Sequence, residues 1–291
     1  MKQAILITAY KDIDQLFDLV NFFDDDFNIY IHMDKKAKYS EKDFEVIKNI
    51  ANIKLFSTKY NVFWGGFSHL KAILFLVEKA IACPDNQYFH LISGHDVPIK
   101  PISFFKNFPV LNKGSEFISF FEIPKIGWVD NGGLDRIEYY HLNDLFSIKK
   151  SIKSYTIAKR FIRLQKKLSI KRKISAKIPK LYSGSTWWSL SRSCLLYVCE
   201  YTKESIFFLN RIKYTFCSEE IYFQTVILNS TFAQHVKNYN YRYIDWKARH
   251  GNNPAILDES DYEILVNSDA LFARKIDPKI SAKLLDKLGL L

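Results

Sequence analysis

The sequence predicts an α/β fold, with a mostly parallel central sheet flanked by helices, folded as a single domain over 1–291. Three observations carry this. Short apolar runs recur through the first 120 residues, a helical apolar pattern separates two of them, and hydrophobic residues make up 48% of the chain. Strands that alternate with amphipathic helices need crossover connections, and these cover both faces of a parallel sheet.

The strand candidates are 4–8, 28–32, 53–57, 88–93 and 116–121, several of them apolar at every position, as strands buried on both faces are. Between the third and fourth runs, Leu70, Ile73, Leu74, Val77 and Ile81 recur at helical spacing, with Ser68 ahead of them as a candidate N-cap. Residues 185–191 read as a further strand. Trp187 and Trp188 alternate faces on it, so one belongs to the core and the other is free to meet a ligand. Ser218, Glu219 and Glu220 open a helix whose apolar residues include Phe223, Val226 and Ile227, and a short amphipathic helix follows Ser281. No repeat, low-complexity tract or long linker interrupts the chain.

Charge and composition narrow the partners. The formal net charge is +11, which suits nucleotides, anionic membranes or nucleic acid. The aromatic share of 16% is met by core filling alone. No stretch reaches the roughly 18 to 20 apolar residues of a spanning helix. The opening apolar run is too short for a signal peptide and lacks a small-residue cleavage site, so a cytoplasmic location is expected. Cys83, Cys194, Cys199 and Cys217 form no CxxC pair and are expected as reduced thiols.

From Lys149 to Lys180 the chain is rich in Lys and Arg and contains no acid. Ile157, Phe161, Leu164 and Leu168 fall on one helical stripe within it. Such a helix either faces an anionic membrane or acceptor, or packs on the domain by that stripe. Nucleic acid is not expected as a partner: the basic residues concentrate in this one tract, and no RNP-like strand, zinc finger or helix-turn-helix signature accompanies them.

In parallel sheets, ligands bind past the carboxyl ends of strands, where the strand order reverses. Two such ends carry polar clusters, His32 and Asp34 after the second run and Ser93, Gly94, His95 and Asp96 after the fourth. Trp64, Gly65 and Gly66 read as a turn that either lets backbone approach a nucleotide or buries Trp64 in the core.

A series of segments spread over almost the whole chain resembles the core-2/I-branching β-1,6-N-acetylglucosaminyltransferase family, which includes the peptide O-xylosyltransferases. They are AILITAYKD at 4–12, IYIHMDKKA at 29–37, VFWGGFSHL at 62–70 and LISGHDVPIK at 91–100. YSGSTWWSLSR at 182–192, SEEIYFQTVILNS at 218–230, RYIDW at 242–246, NPAIL at 253–257 and FARKID at 272–277 follow. Each is short, and their order and spacing carry the resemblance.

The resemblance implies a GT-A-like nucleotide-sugar fold, a UDP-sugar donor, inversion at the anomeric carbon, and no required metal or other cofactor. Asp12-Ile13-Asp14 and Asp24-Asp25-Asp26 do not stand at the strand end where that fold usually holds an ion, which reads Ser93-Gly94-His95-Asp96. Without a metal, fixed cations must hold the leaving diphosphate, an Arg fork and a Lys point charge being suited to it. Lys275 matches the family's phosphate-binding lysine, with Arg242 ahead of Arg249 as its partner. Glu220 matches the family's base. The triplet here reads Ser-Glu-Glu where the family more often has Pro-Asp-Glu, which leaves Glu220 in place, and a position in the first helical turn favours its ionised form.

Thr8 and Ala9 fall where the uridine docks, His32 and Asp34 near the nucleotide, Trp64, Gly65 and Gly66 beside it, and Ser93, Gly94, His95 and Asp96 toward the donor sugar or diphosphate. Trp187, Trp188 and Glu219 are the acceptor candidates. The implied reaction transfers a sugar, GlcNAc ahead of xylose, to a hydroxyl of a glycan or lipid-linked glycan. A bacterial-type member would work in surface polysaccharide synthesis at the inner face of the cell membrane, held there by 149–180. Within the domain, 1–125 is expected as the UDP-sugar-binding half, 126–180 as a basic acceptor- or membrane-facing insertion, and 181–291 as the catalytic half. A catalytically inactive sugar-binding relative and a basic nucleic-acid-binding protein are the alternatives.

Overall fold

The computed structural model describes residues 2–145, 147–149 and 151–290. Lys150 of the basic tract lies outside the described residues. The first half runs β1 (Lys2–Ala9), α1 (Ile13–Asn21), β2 (Phe27–Met33), α2 (Glu41–Lys48), β3 (Ile53–Ser57), α3 (Phe67–Ile81), β4 (Asn86–Ser93), β5 (Val97–Pro98), α4 (Ile102–Leu111) and β6 (Glu116–Glu122). It continues through α5 (Asp135–Glu138), α6 (Ile152–Lys167), β7 (Tyr182–Ser191), α7 (Arg192–Glu204), α8 (Ile206–Ile212) and α9 (Glu219–Leu228). The last part holds β8 (Val236–Lys237), β9 (Arg242–Ile244), α10 (Tyr262–Val266), β10 (Phe272–Arg274) and α11 (Ala282–Lys287).

The main sheet has the order β3-β2-β1-β4-β7-β6-β8. β3, β2, β1 and β4 are parallel, and β7 runs antiparallel to both β4 and β6. A small second sheet, β5-β10-β9, stands beside it. This is the mixed α/β, GT-A-like arrangement that was expected. The uniformly apolar strands are buried on both faces because helices cover both. One core packs Leu6, Leu70, Ile73, Val77 and Trp188 against Tyr222, Phe223 and Val226 of α9. The other packs Ile5 and Ile7 against Leu16 and Val20 of α1 and Phe105 and Phe108 of α4. Fully burying one such side chain contributes roughly 1.5–3 kcal/mol.

Two local expectations are corrected. Ser68 does not cap α3: Gly66 precedes the helix and has no side chain to offer. Asp144 serves instead, its Oδ1 accepting from the Ser68 amide at 3.1 Å, while Ser68 Oγ accepts from the Phe63 amide at 2.9 Å. The apolar stripe of α6 is also not what seals the helix on the domain: Phe161 is half-buried, and the other three residues of the stripe stay exposed. Gln165 is the buried residue of that helix, its side chain accepting from Tyr140 N at 2.8 Å and donating to Tyr140 O at 3.0 Å. Ile157, Leu164 and Leu168 remain exposed at 40%, 51% and 57%. Among the described residues no helix is long and apolar enough to cross a membrane.

Candidate active site

The order of the parallel strands reverses between β1 and β4, and their carboxyl ends are pinned together there. The Gly94 amide donates to Thr8 O at 3.0 Å, and the Asp34 amide donates to Ala9 O at 2.7 Å. A Cβ on Gly94 would lie 3.0 Å from that of Ala9, so glycine permits the close approach of β4 to β1. Thr8, Ala9, Asp34, Ser93, Gly94 and His95 therefore share one rim, as the sequence predicts.

Two neighbours of that rim are spent on structure. His32 is fully buried, its Nε2 accepting from the Tyr60 amide at 3.0 Å with the rings stacked. Burial holds it near pKa 4, hence neutral. It fastens the chain after β3 to β2 and does not reach the cleft, which corrects its assignment to the donor. Asp96, also fully buried, accepts from the Ser93 amide at 2.6 Å and from Ser93 Oγ at 3.0 Å, and lies 3.4 Å from Arg274 Nε. It shapes the turn and anchors Arg274 without facing a ligand.

The cations are redistributed relative to the sequence reading. Arg242 is 4% exposed, and its guanidinium donates to Leu91 O, Trp188 O, Asn240 O and Ser189 Oγ. Its four terminal N–H groups are consumed by these oxygens, and burial lowers its pKa to about 9. It pins β9 to β4 and β7 and leaves no fork for a diphosphate. Arg249 is held by Asp261 at 2.6 Å and Asp258 at 3.4 Å, so neither arginine is placed to partner Lys275.

Arg274, one residue before Lys275, lies beside it instead. Its guanidinium lies 4.3 Å from the centre of the Trp187 ring, a geometry in which a planar cation is attracted by the ring face. Lys275 is depressed below the usual lysine range, by burial and then by repulsion from Lys149, Arg274 and Lys11. His95 is pushed down to about 4 by burial, Lys11 and Lys275, and its Nε2 is buried without a hydrogen-bond partner among the described residues. Lys149, from the tract read as membrane-facing, has its ammonium 4.5 Å over the Trp64 ring and feels Arg274. Lys11, Lys149, Arg274 and Lys275 thus crowd one another, with Asp12 paired to Lys11 and Asp96 beside Arg274.

Glu219 is held by His69, a neighbour of Trp187, and Glu220 follows it. His69 approaches the Trp187 edge at 6.4 Å between ring centres, places Nδ1 3.1 Å from Glu219 Oε1, and sets Nε2 3.4 Å from Thr8 Oγ1. Glu220, with 28% of its side chain exposed, receives Arg136 Nη1 on Oε2 at 2.7 Å. Arg136 is itself sandwiched near the rings of Trp128 and Phe216, at 4.4 and 5.3 Å. Glu220 stands in the first turn of α9, and charged neighbours and burial also act on its ionisation. Burial raises its pKa first, Arg136 opposes this, and Glu219 adds to the rise. A carboxylate so placed is more basic than a free one and still paired with a cation.

The tryptophans and glycines also separate. Trp188 is fully buried against Phe223 at 5.2 Å, so it is core and not an acceptor contact; Trp187 is buried as well, at 8% exposed, between His69 and Arg274. Trp64 is 48% exposed, which excludes its burial in the core. Gly65 and Gly66 do not clear space for a nucleotide: an added Cβ would lie 2.4 Å from the Phe216 ring and 2.3 Å from Asp144 Oδ1 respectively. They let Phe216, and with it Arg136, close on Glu220.

Of the residues not anticipated, Arg274 was signalled by its adjacency to Lys275, and His69 by its place in the WGGFSH segment. Arg136 and Lys149 had no local signal. Cys217, Glu219 and Glu220 offer ligand atoms within 4.8 Å of one another, the one such group among the described residues. Arg136 already occupies one oxygen of Glu220, and burial with the two carboxylates keeps the Cys217 thiol protonated.

Xylosyltransferase oxt of Drosophila pseudoobscura pseudoobscura is 24% identical over 280 residues, covering 89% of this chain and 29% of that protein. Human xylosyltransferase 2 is 24% identical over 279 residues, covering 89% and 30%. The chain thus spans about 30% of the length of these curated relatives. Among solved structures, apo mouse xyloside xylosyltransferase 1 aligns with TM-score 0.39 at 10% identity, covering 96% of this chain and 99% of that one. WbbM, a bifunctional glycosyltransferase in its apo structure, aligns with TM-score 0.43 at 10% identity, covering 99% and 49%. The family model described as Core-2/I-Branching enzyme matches residues 4–266, and the chain belongs to that family.

Proposed function

We propose that this protein is an inverting glycosyltransferase that moves a sugar from a UDP-sugar to a hydroxyl of a glycan acceptor without a metal. The observation that carries this reading is a pair of charged clusters beside Trp187: Arg274, Lys275, Lys149 and Lys11 crowd one another, and Glu220 stands near them as a basic carboxylate paired with Arg136. The uridine sits by Thr8, Ala9 and Asp34, and the diphosphate by Lys275 and Arg274, with Lys11 and Lys149 beside them.

The acceptor oxygen attacks the anomeric carbon opposite the diphosphate. Its proton passes to Glu220 as the new C–O bond forms, and the electron pair of the broken bond leaves on the diphosphate oxygen. The oxocarbenium-like transition state resembles that of glycoside hydrolysis. Preorganised cations stabilise the charge that develops on the leaving group, at no cost in reorganisation. GlcNAc is the first donor to test and xylose the second, and a bacterial surface glycan, lipid-linked at the inner membrane face, is the acceptor class that the tract at 149–180 suits.

The test is UDP release from a panel of UDP-sugars, with and without EDTA, by wild type and Glu220→Gln. Release from one donor that survives EDTA and falls at least a hundredfold in the variant supports the reading. Release abolished by EDTA would overturn the metal-free mechanism and point to the Cys217, Glu219 and Glu220 group. No release, even with candidate acceptors, would favour an inactive sugar-binding relative.

A further inference from the structure

α6 meets the domain through Gln165, and two apolar features adjoin along the helix, one exposed and one at its seam with residues 140–143. One is the exposed stripe of Ile157, Leu164 and Leu168. The other is a cavity of about 190 Å³ between α6 and residues 140–143, lined chiefly by Tyr140, Leu142, Ile157, Ala158, Phe161 and Ile162. Ile157 lines the cavity and stands on the stripe, so the two are continuous. Exposed cations, Lys153, Lys159, Arg160 and Arg163, surround them, and no acid occurs from 149 to 180.

The opposite wall leads to the catalytic cleft. His141, at the cavity edge, stacks its ring 5.5 Å from Phe216, which touches Arg136. Asn143 donates to Gly65 O at 3.2 Å in the turn that carries Trp64. An apolar cavity of about 150 Å³ is enough to hold benzene, so this one accommodates a short stretch of hydrocarbon. A chain seated here would have its head group within one residue layer of Glu220, and its charge among the lysines of α6.

We infer that this cavity binds the hydrocarbon chain of an anionic amphiphile, an alkyl or isoprenoid lipid that carries the acceptor. This rests on the proposed membrane-held acceptor and adds to it a lipid subsite on the protein. The stripe touches the anionic leaflet, the cations meet its head groups, and the cavity draws one chain out of it.

The probe is 11-(dansylamino)undecanoic acid, with dansylglycine as the short-chain control, titrated by fluorescence against the whole protein. The expected result is saturable one-to-one binding with a blue shift, at least tenfold tighter than for dansylglycine. Ala158→Trp, which fills the cavity, should weaken it at least tenfold while leaving UDP-sugar hydrolysis at the wild-type rate. Ile157→Trp is the second variant should Ala158→Trp melt early. The double variant Leu164→Glu, Leu168→Glu should keep probe binding but lose co-sedimentation with vesicles of phosphatidylcholine and phosphatidylglycerol. Equal binding of both probes, or no loss in either tryptophan variant, would overturn the cavity assignment. Absence of UDP release from the wild type would count against the proposed function alone, and the probe titration would still decide the cavity.

Discussion

At the scale of single residues, the arrangement turns on which cation meets which oxygen. Arg136 is argued to position Glu220 and to hold its ionised form, against burial and Glu219. Removing a positive charge in contact raises a carboxyl pKa, by about 1–3 units for close pairs. Arg136→Met should therefore shift the acid limb of the kcat/KM pH profile upward by about 1 unit or more, with Arg136→Lys restoring most of it. A loss of rate with an unmoved profile would reduce Arg136 to a packing residue. Arg274 and Arg242 make a second contrast. Arg274→Met should cut transfer by roughly a hundredfold, the scale of one lost electrostatic contact to a transition state. Arg242→Met should lower the melting temperature instead, because it strands four buried oxygens. The sequence ranks Arg242 ahead of Arg249 and does not single out Arg274. An arginine's role depends on what its N–H groups meet, and for Arg242 three of the four oxygens belong to β4 and β7, distant in the chain.

At the scale of elements, the legible parts were those that periodicity governs. β3 coincides with its predicted run, β1, β2, β4 and β6 extend theirs by one or a few residues, and α9 opens at the acidic pair as expected. Burial was also legible for one of the paired tryptophans, though not which one, since that depends on β7 packing against α9. What local pattern could not supply was long-range capping and seating. α3 receives its cap from Asp144, and α6 buries the polar Gln165 while three residues of its apolar stripe stay exposed. The turn before α3 carries its own prediction. Gly65 has φ +69, and a Cβ there would strike Phe216. Gly65→Ala should cost about 1–3 kcal/mol, read as a fall in the thermal midpoint. It should also lower activity beyond what stability explains, because Phe216 supports Arg136.

At the scale of the whole molecule, buried histidines set the response to acid. His32, His95 and His141 are held near pKa 4, and His90, enclosed between Gln3 and Ser189, well below its ordinary value, all chiefly by burial. Unfolded histidine titrates near 6.5. Between that value and about 4, the unfolded chain binds protons that the folded one refuses, so stability falls as pH falls. Each such histidine removes about 1.4 kcal/mol per pH unit in that window. Asp96, Glu116 and Glu220, raised by burial, act in the opposite sense, but only as they approach their own titration. The urea midpoint should be clearly lower at pH 5.5 than at pH 7.5. An unchanged midpoint would mean that these imidazoles are hydrated in solution.

The pin made by Arg242 has a consequence for salt. By tying β9, and through it β10, to the main sheet, it fixes Arg274 and Lys275 in place whether or not an anion is present. A looser protein would let its cations splay apart when empty, and a ligand would have to gather them again. Here the fold carries their mutual repulsion permanently, and an arriving dianion relieves it. Ionic strength should then act in opposite directions on the two states. Dissolved ions screen the crowded charges of the empty protein and make it harder to unfold, and the same screening weakens its hold on the nucleotide.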